Sequence, residues 1–134
     1  MSKRGYIFFL SVFLLSSASA LAEWQLVSDD GFSKIYVDPK SKKMLPHGVA
    51  IVNALTDYDP NSDQARSFGL ADKGLSEIEA VSLDCINTMY KSEGGNWFKE
   101  HMGHGEISKK YDPNPNWSSI PQFYKQLALS VCSK

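Results

Sequence analysis

Two cysteines, Cys85 and Cys132, constrain this chain more than any other feature, because the N-terminus sets the compartment in which they meet. Lys3 and Arg4 precede an apolar run from Tyr6 to Leu15, and small residues then lead to Ala20-Leu21-Ala22 before Glu23. A charged start, a short apolar stretch and an A-x-A ending make up a cleavable secretory signal. A membrane-spanning helix needs roughly 20 apolar residues, which this run does not supply. Residues 1–22 are therefore expected to be removed, leaving 23–134 as a single domain. In an oxidising exported setting two cysteines have one intramolecular pairing open to them. A bridge between them closes a loop of about 46 residues, worth on the order of 3–4 kcal/mol by chain entropy. Structural zinc is the poorer use of two isolated thiolates, since such a site takes four ligands.

The strand signals run in order along the mature chain. Trp24 to Asp29 alternates, Asp29-Asp30-Gly31 offers a tight turn, and Ser33 to Asp38 is β-branched and aromatic. Asp38-Pro39-Lys40-Ser41 predicts a polar turn. His47 to Tyr58 predicts a central strand covered on both sides, with Val49, Ile51 and Leu55 on one face and Ala50, Val52 and Ala54 on the other. Asp57 to Gly74, with Pro60, Asn61, Gly69 and Gly74, predicts a long irregular connection of the functional or mobile kind. Ser76 to Cys85 resumes strand character, with Glu79, Val81, Leu83 and Cys85 in one phase. Asn87-Thr88 turns the chain and Met89 to Lys91 pairs back. Gly94-Gly95-Asn96 is expected to break that strand, and Glu106 to Tyr111 forms the last. Pro113 and Pro115 lack donors and keep Asp112 to Asn116 out of the sheet. Ile120, Phe123, Tyr124, Leu127, Ala128 and Val131 then recur at helical spacing, with Ser118 or Ser119 as cap and Pro121 in the first turn. The fold class is α+β: an antiparallel β-sheet of about five to six strands, with one C-terminal helix packed on it and tied to it by the disulfide.

In this order the chain resembles the surface-adhesin protein E family of Gram-negative bacteria. The resemblance rests on Trp24, Ile35-Tyr36-Val37-Asp38, Leu55-Thr56-Asp57-Tyr58, Glu79 to Cys85, Met102-Gly103-His104-Gly105, Trp117 to Pro121 and Val131-Cys132. It implies the same sheet, helix and bridge, a periplasmic or outer-surface location, binding of host extracellular-matrix or serum proteins, and self-association as a homodimer. No cysteine sits near the expected cleavage point, so lipid anchoring has no acceptor thiol.

The remaining chemistry is sparse. The formal charge of −1 falls to −3 once Lys3 and Arg4 leave with the signal, and a mildly acidic chain is a poor partner for nucleic acid. Serine hydrolysis lacks a G-x-S-x-G turn, and no phosphate-cradling glycine loop or other cofactor motif is present. The chain reads as a non-enzyme. Glu77 and Glu79 share a strand face as paired carboxylates do, but an alternating strand more often presents them to solvent. His101 and His104, with His47 as a third ligand, form a weak metal candidate, and the glycines beside them read as an ordinary loop. Asp84 reads as an acid that organises the adjacent hairpin turn. Trp97, Phe98, Lys99, Lys109, Lys110 and Tyr111 are the candidate protein-binding residues, an aromatic and lysine patch in the loop-rich region that also holds Trp117. The leading function is an exported binding module for a protein ligand. The alternatives are a periplasmic envelope-associated structural protein and a small metal-binding protein.

Overall fold

A computed structural model describes residues 23–133, and the expected signal peptide at 1–22 lies outside the described residues. The chain lays down a meander of antiparallel strands: β1 (Gln25–Asp29), β2 (Ser33–Leu45), β3 (Val49–Tyr58), β4 (Ser76–Asp84), β5 (Met89–Phe98) and β6 (Ile107–Tyr111), each paired to the next. A two-residue β7 (Ser118–Ser119) pairs with Met89 and Tyr90 at the start of β5, while β6 pairs with its end. Helices α1 (Asp63–Phe68) and α2 (Leu70–Lys73) fill the β3–β4 connection, and α3 (Lys125–Cys132) closes the chain.

Side-chain chemistry makes the turns. The Asp30 Oδ1 accepts the backbone N–H groups of Phe32 and Ser33 to shape the β1–β2 turn. Asp84 does the same for Ile86 and Asn87 in the β4–β5 turn, and these bonds, Asn87 first, hold its carboxyl below the usual range. Asp38 to Ser41 departs from the expected turn: β2 runs on to Leu45 through a bulge between Asp38 and Lys43. Ser41 makes that possible, because its hydroxyl donates to the Asp38 carbonyl at 2.7 Å and accepts the Asn53 N–H at 2.8 Å. Glu93 and Gly94 likewise bulge β5 without ending it, with Gly94 at φ +96 and its N–H on the Ser92 hydroxyl, and Gly95 is back in register with both neighbouring strands. The expected irregular connection is helical instead. Ser62 caps α1 through the Ala65 N–H, and buried Ala65 and Leu70 pack toward Tyr58 and Trp97.

On one face of the sheet, Ile35, Val37, Ala50, Val52, Ala54, Val81 and Leu83 form the main core under Tyr124, Leu127, Ala128 and Val131. The helix starts later than its periodicity suggests. Ser118 and Ser119 are in β7 and cap nothing, and Gln122–Tyr124 is a 3-10 turn entered from Pro121. Cys132 is bonded to Cys85, which fastens the end of α3 to the β4–β5 turn. Lys42 reaches from β2 to the Val131 carbonyl at 2.7 Å.

The opposite face is covered only in part, so β3 is not sheathed on both sides along its length. Val49 and Ile51 are half-buried, while Leu55 is fully buried under the turn His101–Gly103. Asp57 accepts the Met102 N–H at 2.8 Å, and the buried Ser76 hydroxyl accepts the Gly103 N–H at 2.8 Å. A Cβ on Gly103 would stand 2.8 Å from the Ile78 side chain, which explains the glycine there.

Candidate functional site

Helix α3 covers only one half of the face it packs on. Toward the other end the face stays open as a cleft of about 540 Å³, a volume suited to a ligand group. Glu77 and Glu79 project from β4 onto its floor, because they share the phase of Val81 and Leu83, which lie under the helix. One wall is aromatic. Tyr58 stacks on Trp97 with centroids 5.4 Å apart, Phe32 sits 5.3 Å from Tyr58, and Phe68 of α1 lies 5.6 Å from Tyr58 and 6.2 Å from Trp97.

Four tyrosine hydroxyls donate to the two acids. Tyr58 and Tyr111 reach the two oxygens of Glu77, the first at 3.4 Å. Tyr90 and Tyr124 reach those of Glu79, each at 2.6 Å. Burial raises all four phenols above their ordinary value, and the neighbouring acids add to it, so each remains a donor. Burial raises the Glu77 carboxyl to about 7, with Glu79 pushing the same way; the Tyr111 and Tyr58 hydrogen bonds and, after them, Lys73 oppose the rise. Glu79 is 6% exposed. Among the described residues the ion pairs involve neither acid. Asp30 and Asp112 also line the cleft, and among the described residues no lysine or arginine does.

The residues predicted as a binding patch divide between two sides of the sheet. Trp97, 6% exposed, is the buried wall of the cleft, and Tyr111 is half-buried on the same side, bonded to Glu77. Lys109 is opposite Trp97 in the β5–β6 register and shares its side, while Lys110 is opposite Asn96 on the other. Phe98 follows Trp97 and takes the side away from the cleft. Lys99 stands beyond the strand end, exposed and 2.9 Å from Glu106. The structure thus brings Trp97, Tyr111 and Lys109 together and separates Phe98, Lys99 and Lys110 from them.

Glu77 and Glu79 correct the expectation of a solvated face, since hydrophobic neighbours and tyrosines enclose them. The signal was present in the sequence: Glu79 has the phase of Val81 and Leu83, and no residue on that face beyond Glu77 reads as solvent-exposed strand. Phe32, Tyr58 and Phe68 share no signal in the sequence, because only the β1–β2 turn and α1 bring them beside Trp97. The metal candidates do not converge. His47 precedes β3, whereas His101 lies beyond its far end, with Nδ1 3.1 Å from Asp57. Among the described residues no group of three His, Cys, Asp or Glu side chains is placed to hold a metal. No helix among them is long and apolar enough to cross a membrane.

A meandering antiparallel sheet with a single C-terminal helix bridged to its β4–β5 turn defines a compact sheet-and-helix class of α+β domain. The family model for surface-adhesin protein E matches residues 24–133, and the chain belongs to that family. Solved structures of Haemophilus influenzae protein E share the fold. Crystal form II is 13% identical over 84% of this chain and 96% of that one, with a TM-score of 0.55. Another structure is 13% identical over 81% and 83%, with a TM-score of 0.57. None of the curated proteins matches the sequence.

Proposed function

We propose that this chain is an exported, non-enzymatic binding protein that takes a protein ligand at the open half of its sheet face. The observation that carries the reading is the cleft itself: aromatic walls and hydrogen-bonded acids on the part of the sheet face that lies beyond the start of α3. Aromatic side chains concentrate binding energy at protein interfaces, and Lys109 on the same side adds a rim charge. The acids are held by tyrosine donors, which fixes the orientation of their carboxyl groups for recognition. Membership of a surface-adhesin family supports export, and an extracellular-matrix or serum protein as the ligand. Residues 1–22 would direct that export and be cleaved.

Protease treatment of intact cells, with a periplasmic marker as control, tests the location. Cleavage of this protein while the marker survives is the expected result. Protection of both would sink the surface reading in favour of an envelope-associated protein inside the periplasm. For protein cleaved at the surface, immobilised matrix and serum proteins then test binding, with Lys109→Glu expected to weaken the captured signal and Lys110→Glu, on the other side, to leave it unchanged.

A further inference from the structure

We infer that the cleft receives an arginine side chain of the protein partner, its guanidinium between Glu77 and Glu79 and its stem against the Tyr58–Trp97 wall; this rests on the binding role proposed above. Charge complementarity is the first support. Four acids line the cleft, among the described residues no lysine or arginine does, and the two acids on the floor have no ion-pair partner there. Lys73 opposes the rise at Glu77 only as the last of its influences, so the enclosed carboxyl keeps a charge cost that a well-placed cation from outside reduces. Acceptor capacity is the second. Each Glu77 oxygen carries two lone pairs, and the Tyr58 hydroxyl approaches its oxygen only to 3.4 Å, which leaves room for a stronger donor. The aromatic wall is the third. The Lys73 Nζ already lies 4.1 Å from the Phe68 centroid and 5.7 Å from that of Trp97, so these rings accept a cation over their faces. A planar guanidinium satisfies both demands, because it pairs with carboxylates through a fork of donors and stacks on rings.

Glu77 must be ionised to hold the cation. It faces Tyr58 of β3, Tyr111 of β6, Lys73 of α2 and Glu79 of its own strand, with Asp30, Asp112 and the Tyr90 and Tyr124 hydroxyls nearby. With its carboxyl raised to about 7, affinity is expected to climb between about pH 6 and 8, and binding near pH 7 to release protons. The probes are Nα-acetyl-arginine amide and the neutral isostere Nα-acetyl-citrulline amide, titrated into the purified oxidised protein and followed by NMR at the Trp97 indole and neighbouring amides. Saturable shifts with arginine, at least roughly tenfold weaker binding of citrulline, and a roughly tenfold loss in Glu77→Gln at pH 8 are expected. A Glu106→Gln control should bind normally. No saturable shift with arginine, or equal affinity for citrulline, would overturn the inference. A matrix or serum partner that binds Glu77→Gln undiminished while arginine amide does not bind would sink the arginine site and leave the binding role standing. Arginine bound in the cleft with no captured partner would do the reverse.

Discussion

Val52 and Val81 face each other across β3 and β4 beneath α3, and a few residues along the same ladder Thr56 and Glu77 face each other in the cleft. The backbone pairing is continuous between the two sites, so the difference lies in what covers them. At one end a bridged helix supplies Leu127 and Val131, and the side chains beneath it are aliphatic. At the other end rings and tyrosine hydroxyls surround carboxyls, and the face stays open. The first arrangement gains stability from apolar burial. The second gives up stability, because an enclosed acid favours protonation over charge. Residues that a fold carries at such a cost are candidates for function, and here they sit where the helix stops short.

The widest separation of the two halves comes from removing the bridge. The Cys85→Ser/Cys132→Ser double variant opens a link across 47 positions and is expected to lose about 4 kcal/mol in urea unfolding at neutral pH. In native-state hydrogen exchange the α3 amides should lose protection before those of β3 and β4. Equal loss in both would break the idea that the bridge serves the helix-covered half.

Glu77→Gln is next, and its sign should be opposite. The unfolded chain ionises this carboxyl near its ordinary 4.5 and the native chain near about 7, so between those values the native state holds more protons. The stabilisation by the protonated form is therefore complete below about pH 4.5, declines as pH rises and is gone above about 7. The glutamine, neutral throughout, should unfold about 3 kcal/mol harder than wild type at pH 8 and at the same denaturant concentration as wild type at pH 4. Leu127→Ala, fully buried under the helix, should cost about 2–5 kcal/mol at both pH values. A pH-independent effect of Glu77→Gln would mean that the two halves differ less than their burial suggests.

Much of the helix-covered half was legible in the sequence. Period two in β3 and β4, helical spacing from Ile120 to Val131 and a single cysteine pairing point to sheet, helix and staple. These are local patterns, and the core repeats them. Bulges were harder to read: Asp38-Pro39-Lys40-Ser41 and Gly94-Gly95 carry turn chemistry, yet the Ser41 hydroxyl takes up the Asn53 N–H across the ladder, the Ser92 hydroxyl takes up the Gly94 N–H within β5, and the pairing resumes beyond each. The cleft was legible least of all. Its wall combines Phe32, Tyr58, Phe68 and Trp97 from four separate segments, and no periodicity in one segment reports a neighbour in another. Of the six predicted ligand residues, Trp97, Tyr111 and Lys109 fall on the cleft side and the other three do not, because alternation along β5 and across the β5–β6 pairing divides a cluster that is close in sequence.

Gly95→Ala sharpens the comparison by disturbing the cleft alone. A Cβ there would lie 2.5 Å from the Tyr111 hydroxyl and 2.6 Å from the Ile78 carbonyl, and the second is backbone that cannot swing aside. The alanine should cost about 1–3 kcal/mol through this crowding. Displacing Tyr111 also removes the hydrogen bond that lowers Glu77, so the Glu77 carboxyl should titrate above its value of about 7. Carbon-detected NMR of the Glu77 side chain checks this directly. An unchanged midpoint in a folded variant would show that Tyr111 does not tune the acid.

Lys99→Ala should produce the smallest effect of all, although its residue was among those predicted to bind. Its ammonium lies 2.9 Å from Glu106, which holds the lysine above and the glutamate below their ordinary values. Both side chains are mostly exposed, where water and salt screen the attraction and ordering two long side chains offsets it. The local geometry does not depend on the pair either, since the Lys99 N–H donates to the Glu106 carbonyl at 3.0 Å through the backbone. The variant is therefore expected to share the wild-type thermal midpoint in both low and high salt, and to bind arginine amide in the cleft with unchanged affinity. A clear midpoint shift that vanishes in high salt would show instead that charge at the β5–β6 tip reaches into the fold, and the cleft would lose its standing as the place where this molecule concentrates its electrostatics.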